Sequence, residues 1–136
     1  MLNKKSIISI LVVFATMMVY GIVVYGVALD GFFQEHAANL PQREEGQELM
    51  HFLALAQILM SIAFVWVWKH DAKGEGMMEG LRFGFFMGLF WGGTEMIMYS
   101  FMPMETIVMV VNYLADIVMM MASGVVLSLV WGKMSD

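Results

Sequence analysis

The stretch GLRFGFFMGLFWGGTEM, residues 80–96, repeats glycine at every fourth position and then places an acid inside an apolar run. Its regularly spaced glycines are Gly80, Gly84, Gly88 and Gly92, and the acid is Glu95. Because an α-helix turns about 100° per residue, a spacing of four residues drifts by only about 40° per step. Small residues along one face let two membrane helices approach closely. The stretch therefore predicts a membrane helix that packs through its glycine face.

The composition of the whole chain supports a membrane protein with one domain. The chain has 136 residues, of which 60% are hydrophobic and 14% charged, whereas soluble domains have about a quarter charged residues. There is no cysteine, which excludes disulfides, thiolate metal sites and cysteine nucleophiles. The net charge is −5 and the seven basic residues form no basic stripe, so we expect no nucleic-acid partner.

Four apolar segments are long enough to cross a lipid bilayer, which takes about 20 residues in a helix. We predict helices over approximately 6–29, 49–68, 77–102 and 106–132, joined by an outer loop 30–48 and an inner loop 69–76. The first apolar run is longer than the roughly 7–15 residues of a signal peptide, so a retained helix is predicted. The fold class is thus all-α: an integral membrane four-helix bundle formed by a single domain, 1–136.

The basic residues predict the orientation of this bundle. With the N-terminus in the cytoplasm, the basic residues on the inner side are Lys4, Lys5, Lys69, Lys73, Arg82 and Lys133. Only Arg43 then lies outside, as the positive-inside rule requires, and both termini are cytoplasmic. Trp66, Trp68 and Trp131 fall at the inner helix ends and are predicted to be interfacial anchors.

The partner of the glycine face has two interpretations. The turn around Pro103 is short, so the third and fourth helices must be antiparallel neighbours within the chain. The glycines then pack inside the bundle; in the alternative, they contact a second copy or a larger membrane complex. Arg82 points about 120° away from Gly88 and lies near the boundary, where it is predicted to be a headgroup residue rather than a partner of Glu95.

Two acids are predicted to lie deep in the membrane, Glu95 on the third helix and Asp116 on the fourth. An ionisable residue there costs about 2.5–3.5 kcal/mol on insertion scales and usually faces the bundle interior. Glu95 follows Gly88 by seven residues, so it points within about 20° of the same direction. The predicted polar intramembrane site comprises Glu95, Asp116, Asn112, His51, Tyr99 and Gln57.

Three interpretations of these polar residues remain open. In the first, they form interhelical hydrogen bonds, each worth about 0.6 kcal/mol. In the second, they line a small polar cavity that is open to the outside and binds a proton, cation or polar solute. In the third, His51, Glu95 and Asp116 bind iron or manganese. No helix carries the Glu-x-x-His pair of di-iron bundles, so our prediction includes no metal.

Motifs for catalysis are missing from the sequence. It has no Gly-x-Ser-x-Gly elbow, no P-loop and no His-Glu-x-x-His. We therefore predict no catalytic residues and no cofactor, and we favour a non-enzymatic role. The chain has 17 methionines, which are interpreted as flexible packing residues, with binding of soft Cu(I) as the alternative.

The segments EGLRFGFFMGL (79–89) and MASGVVLSLVWG (121–132), together with Pro103 in the tight turn, resemble a group of small four-helix bacterial inner-membrane proteins. The resemblance covers mainly residues 79–132. It implies the four-helix fold and a bacterial inner membrane, and it implies no activity.

Two hypotheses for function follow. The first is a structural, assembly or accessory subunit that packs as a homo-oligomer or in a larger membrane complex, and it expects Glu95 and Asp116 to be fully hydrogen-bonded without a cavity. The second is a small proton- or cation-linked binding or transport protein, and it expects a water-accessible pocket that reaches at least one of these acids.

Overall fold

The computed structural model describes residues 3–36 and 50–134, and all regular structure in them is helical. Helix α1 spans Lys4–Tyr20 and continues as a π-helical segment, Gly21–Ala28. Helix α2 is short, Asp30–His36, and α3 spans Met50–Asp71. Helices α4 and α5 span Met77–Phe101 and Thr106–Lys133. The predicted all-α class is confirmed for these residues.

The helix ends differ from the predicted ones for local reasons. Helix α1 begins at Lys4 because the Asn3 side chain accepts a hydrogen bond from the Ser6 N–H at 2.9 Å, an N-cap. Helix α3 continues to Asp71, so the inner connection shortens to residues 72–76. The predicted outer loop begins with α2, and its remaining residues, Arg43 among them, lie outside the described residues.

Three helices are long and apolar enough to cross a membrane: Lys4–Ala28, His51–Asp71 and Thr106–Lys133. Their length and composition indicate a membrane protein. Helix α4 is not among the three. It is long enough, but its five glycines and the charged residues Glu79, Arg82 and Glu95 lower its mean hydropathy.

Helix α5 is the centre of the arrangement. Helix α4 packs along it more extensively than any other pair of helices packs, as the short connection predicts, and α1 packs against both α5 and α3. At one end of the molecule, the Lys5 ammonium lies 4.3 Å above the Trp131 ring. At the other end, His36 Nδ1 lies 3.1 Å from Glu105 Oε2. We call these the terminal end and the far end.

The regularly spaced glycines of α4 are buried against α5. They are Gly80, Gly84, Gly88 and Gly92. A Cβ on Gly84 would lie 2.6 Å from the Cα of Met121, and one on Gly88 would lie 2.7 Å from the Cα of Ile117. Gly80 faces the carbonyl oxygen of Gly124 just as closely. The two backbones therefore touch along several turns, and only glycine fits at positions 80, 84 and 88.

The apolar core lies toward the terminal end. Its buried members are Val13, Met17, Phe64, Val65, Trp68, Met119, Met120 and Leu127. Helix α3 reaches α4 here through Phe83, whose ring centroid lies 4.9 Å from that of Phe64 and 5.3 Å from that of Trp68.

The prediction that Trp68 is an interfacial anchor is wrong, since this residue is 3% exposed. Trp66, about 200° away around the helix, is 41% exposed.

Candidate functional site

Two tyrosines of the first helix contact α5: Tyr20, directly before the π-helical segment, and Tyr25, within it. The Tyr20 hydroxyl donates to the carbonyl oxygen of Ala115 at 2.7 Å, and the Tyr25 hydroxyl donates to Asp116 Oδ1 at 3.3 Å. In an α-helix, residues five apart point about 140° away from each other. Hydrogen bonds from i to i+5, such as Leu29 N–H to Val24 C=O at 2.7 Å, reduce that angle. The π geometry therefore lets both tyrosines face consecutive residues of α5.

A cavity of about 690 Å³ lies between α1, α3, α4 and α5. Its polar lining consists of Tyr25, Gln57, Glu95, Asn112 and Asp116, with at least one residue from each long helix. Because α3 contacts α4 through Phe83 at the terminal end, the cavity occupies the space beyond that contact, toward the far end. Its volume is in the range of small-molecule sites, about 300–1,000 Å³.

Most of the cavity wall is apolar. Met18, Met60 and Met119 come from three different helices, and Trp91 and Leu53 add further apolar surface. Methionine is flexible and polarisable, and it adapts to ligands of irregular shape. The wall thus combines adaptable apolar surface with a small number of polar groups, as binding sites for organic molecules do.

Asp116 is the most deeply buried polar group of the cavity, at 6% exposure. Its Oδ1 accepts the Tyr25 hydroxyl, while its Oδ2 is buried without a hydrogen-bond partner among the described residues. Gln57 Oε1 is buried and unpaired in the same way. An unmade hydrogen bond at a buried polar atom costs about 1–3 kcal/mol. Both residues line the cavity, so the unpaired atoms belong to the same polar region as the two acids.

The charged groups of the cavity lining are two acids, Glu95 and Asp116. The Glu95 carboxyl group lies close enough to Asp116 to interact with it directly. No lysine, arginine or histidine is among the described residues that line the cavity. Negative charge on this pair is thus compensated only by a proton or by a cation that enters the cavity, since an unpaired buried charge is very unfavourable.

Four of the six predicted site residues line this one cavity: Glu95, Asp116, Asn112 and Gln57. The other two lie elsewhere. His51 is exposed and its ring contacts Phe52 at 4.3 Å between centroids. The Tyr99 hydroxyl lies 2.6 Å from Thr106 Oγ1, across the short connection between α4 and α5. That the four together form a functional site stays a prediction.

The interpretation as a metal site requires His51 to lie beside Glu95 and Asp116. The three side chains do not lie together. Within residues 3–36 and 50–134, no group of three or more His, Asp or Glu side chains lies together as metal ligands would. The sequence reasoning also omitted Tyr25, Trp91 and Met119 from the site. For Trp91 and Met119 the spacing carried a signal, because Trp91 precedes Glu95 by four residues and Met119 follows Asp116 by three.

A second polar cluster organises the connection between α3 and α4. Glu79 Oε2 accepts the Lys73 N–H at 2.6 Å, and its Oε1 accepts the Glu75 N–H at 3.0 Å. Arg82 pairs with the Glu75 carboxylate at 3.1 Å. Desolvation alone would raise the pKa of Glu79, but the N–H groups of Glu75, Lys73 and Gly74 and the charge of Arg82 outweigh it, so the pKa is lowered. The cluster holds the connection and is not part of the cavity.

Comparison with known proteins does not assign a family or a function to the chain. No protein-family model, curated protein or solved structure matches the chain. The resemblance to small four-helix inner-membrane proteins consequently depends on residues 79–132 alone, and the function has to be argued from the acidic cavity.

Proposed function

We propose that this chain is a small membrane protein that binds a cation in the acidic cavity, in exchange with protons. The observation that carries the proposal is the presence of two acids, Asp116 and Glu95, on the wall of one cavity whose described lining has no basic residue. The Oδ2 of Asp116 is also buried without a hydrogen-bond partner among the described residues. Carboxyl groups deep in a membrane protein commonly belong to ion or proton pathways. In a purely structural role, we would expect both acids to be hydrogen-bonded and enclosed by apolar side chains. Both instead line a cavity.

The proposal includes a place in the cell. The chain crosses the inner membrane of a bacterium four times, with α4 as the additional span, and both termini are cytoplasmic. Support comes from the basic residues at the terminal end and from the burial of α4 against α5. The far end, with the Glu105 side chain, then faces the outside, and the cavity lies in the outer half of the membrane.

Cation-dependent stability tests the proposal. A ligand that binds only the folded protein stabilises it by about 2.7 kcal/mol at 100 times its dissociation constant. We expect chloride salts of some cations to raise the unfolding temperature of the nanodisc-embedded chain saturably, and to release protons into a weakly buffered solution. Asp116→Asn and Glu95→Gln should each reduce both effects.

The matched control is Asp71→Asn, which removes an acid from the exposed end of α3. This variant should keep the full response to cations. If every cation shifts the two cavity variants as much as the unchanged chain, the effect is a general salt effect and the proposal is wrong.

A structural or accessory-subunit role is the second candidate. Its contact surface would be the outward face of α4, on which Phe90 is 82% and Phe101 84% exposed, together with Phe86 and Ile97. A second copy or a larger membrane complex would cover this face. Native mass spectrometry after mild solubilisation tests this role, and a monomer under all conditions would contradict it.

A further inference from the structure

We propose that the ligand of the cavity is an organic cation with a large apolar body, such as a lipophilic ammonium or phosphonium ion. This inference rests on the proposed cation-binding function and specifies its ligand. Three properties of the cavity carry it: its volume, its mainly apolar wall and the position of its acids.

The volume and the wall argue against an inorganic ion as the main ligand. A cavity of about 690 Å³ is much larger than one metal ion needs, and no group of three His, Asp or Glu ligands occurs within the described residues. A hydrated ion would bring its water shell against Met18, Met60 and Met119, which offer only weak acceptors. An apolar ligand body fills the same space favourably, since each Å² of buried apolar surface contributes about 25 cal/mol.

The polar groups argue against a neutral apolar ligand. Asp116 and Glu95 supply negative charge without a basic side chain among the described lining residues. The Trp91 ring lies on the same wall, and the face of an indole attracts organic cations within about 6 Å. A cationic head beside Asp116 would satisfy the electrostatics, while the ligand's apolar body would lie against the methionines.

A pair of ions with the same shape and opposite charge tests the inference. Tetraphenylphosphonium and tetraphenylborate are both apolar and differ in the sign of their charge. Each is titrated separately against the chain in nanodiscs, with Trp fluorescence and equilibrium dialysis as readouts and empty nanodiscs as the background. We expect saturable binding of the phosphonium and no saturable binding of the borate.

Variants of Asp116 connect the binding to the cavity. Asp116→Asn should weaken phosphonium binding by about tenfold or more, because it removes the charge beside the ligand's cationic head and tenfold corresponds to only about 1.4 kcal/mol. Asp116→Glu keeps the charge and should retain most of the affinity, and Asp71→Asn should bind like the unchanged chain. Circular dichroism of each variant establishes that it is folded, and Glu95→Gln replaces Asp116→Asn if that chain does not fold.

The outcomes separate the inference from the function on which it rests. Equal binding of both ions, or phosphonium binding that neither Asp116→Asn nor Glu95→Gln weakens, overturns the inference, since binding then reflects apolar partition. Stabilisation by an inorganic cation without phosphonium binding also overturns it and leaves the proposed function standing. If no cation of either kind binds, both proposals fail.

Discussion

The Tyr25 hydroxyl donates to Oδ1 of Asp116 across 3.3 Å, and it does so from a π-helical segment. The bond joins the first helix to the last at the acidic cavity. It fixes one carboxylate oxygen of Asp116, while the other, Oδ2, has no hydrogen-bond partner among the described residues. Tyr25 is thus a positioning residue for the acid on which the proposed function depends.

Replacement of Tyr25 by phenylalanine removes this hydrogen bond. We expect Tyr25→Phe to lower the free energy of unfolding by about 0.6 kcal/mol, the mean for such bonds in membrane proteins, and to weaken cation binding. A double-mutant cycle with Asp116→Asn measures the coupling. In the chain that already carries Asp116→Asn, Tyr25→Phe should have a much smaller effect on binding. Equal effects in both backgrounds would show that Tyr25 does not act through Asp116.

Glycine-to-alanine substitutions on α4 should separate into two classes. A Cβ on Gly84 would collide with the backbone of Met120 and Met121, whereas one on Gly93 would meet no atom within 4 Å. We expect Gly84→Ala to destabilise the chain by about 1–3 kcal/mol, as overpacking does. Gly93→Ala should be neutral or slightly stabilising, since alanine favours helix by about 1 kcal/mol. Unfolding in mild detergent measures both, and similar losses for the two would contradict the α4–α5 contact.

Because the pKa of Glu79 is lowered in the folded chain, we expect the free energy of unfolding to fall at acidic pH. The pKa of Glu79 in the unfolded chain is about 4.5 and is lower in the folded chain. The unfolded chain therefore binds the proton more readily, so this stabilisation is complete above pH 4.5 and is lost as the pH falls through the folded pKa. We expect Glu79→Gln to cost about 1–2 kcal/mol near neutral pH and to flatten the acid side of the stability curve.

Glu75→Gln is the matched control for Glu79. It leaves the Glu75 N–H in place and removes only an exposed ion pair with Arg82, which is worth about 0–1 kcal/mol. Thermal unfolding between pH 3 and 7 compares the three chains. If the unfolding temperature of Glu75→Gln depends on pH in the same way as that of Glu79→Gln, the loss of stability at low pH comes from the ion pair with Arg82 and the prediction is wrong.

The proposed orientation can be tested with single cysteines, because the chain has none of its own. Glu105 lies at the far end and Glu75 at the terminal end, and both are exposed. In intact cells, a membrane-impermeant maleimide should label Glu105→Cys, and it should label Glu75→Cys only after permeabilisation. The reverse pattern would place the termini outside.

The sequence was most informative where one residue type has one physical meaning. Glycines four apart indicated a contacting face, and the short connection at Pro103 favoured α5 over a second copy or a larger complex as its neighbour. The acids Glu95 and Asp116 were identified because their burial is costly. Helical angles then placed Glu95 on the packed side, and Asn112 and Gln57 line the same cavity.

Other features could not be predicted from the sequence because they depend on the orientation of each helix about its axis and on the distances between helices. Trp66 and Trp68 look equivalent in sequence, but only the latter enters the core. The π-helical turns after Tyr20 have no reliable sequence signal, so the alignment of Tyr25 with Asp116 could not be predicted. The cavity lies beyond the contact of α3 with α4 at Phe83, and its size depends on how all four long helices are arranged.

The contact of α4 with α5 through bare backbone has a mechanical consequence. At Gly80, Gly84 and Gly88 the backbone of α4 lies directly against that of α5, so few side chains at this contact could change rotamer and let the helices slide. We expect them to move as one body, which spin-label distances between positions 86 and 118 would show as a single narrow distribution. Any change in the size of the cavity would then come from α1 and α3, which form its other walls.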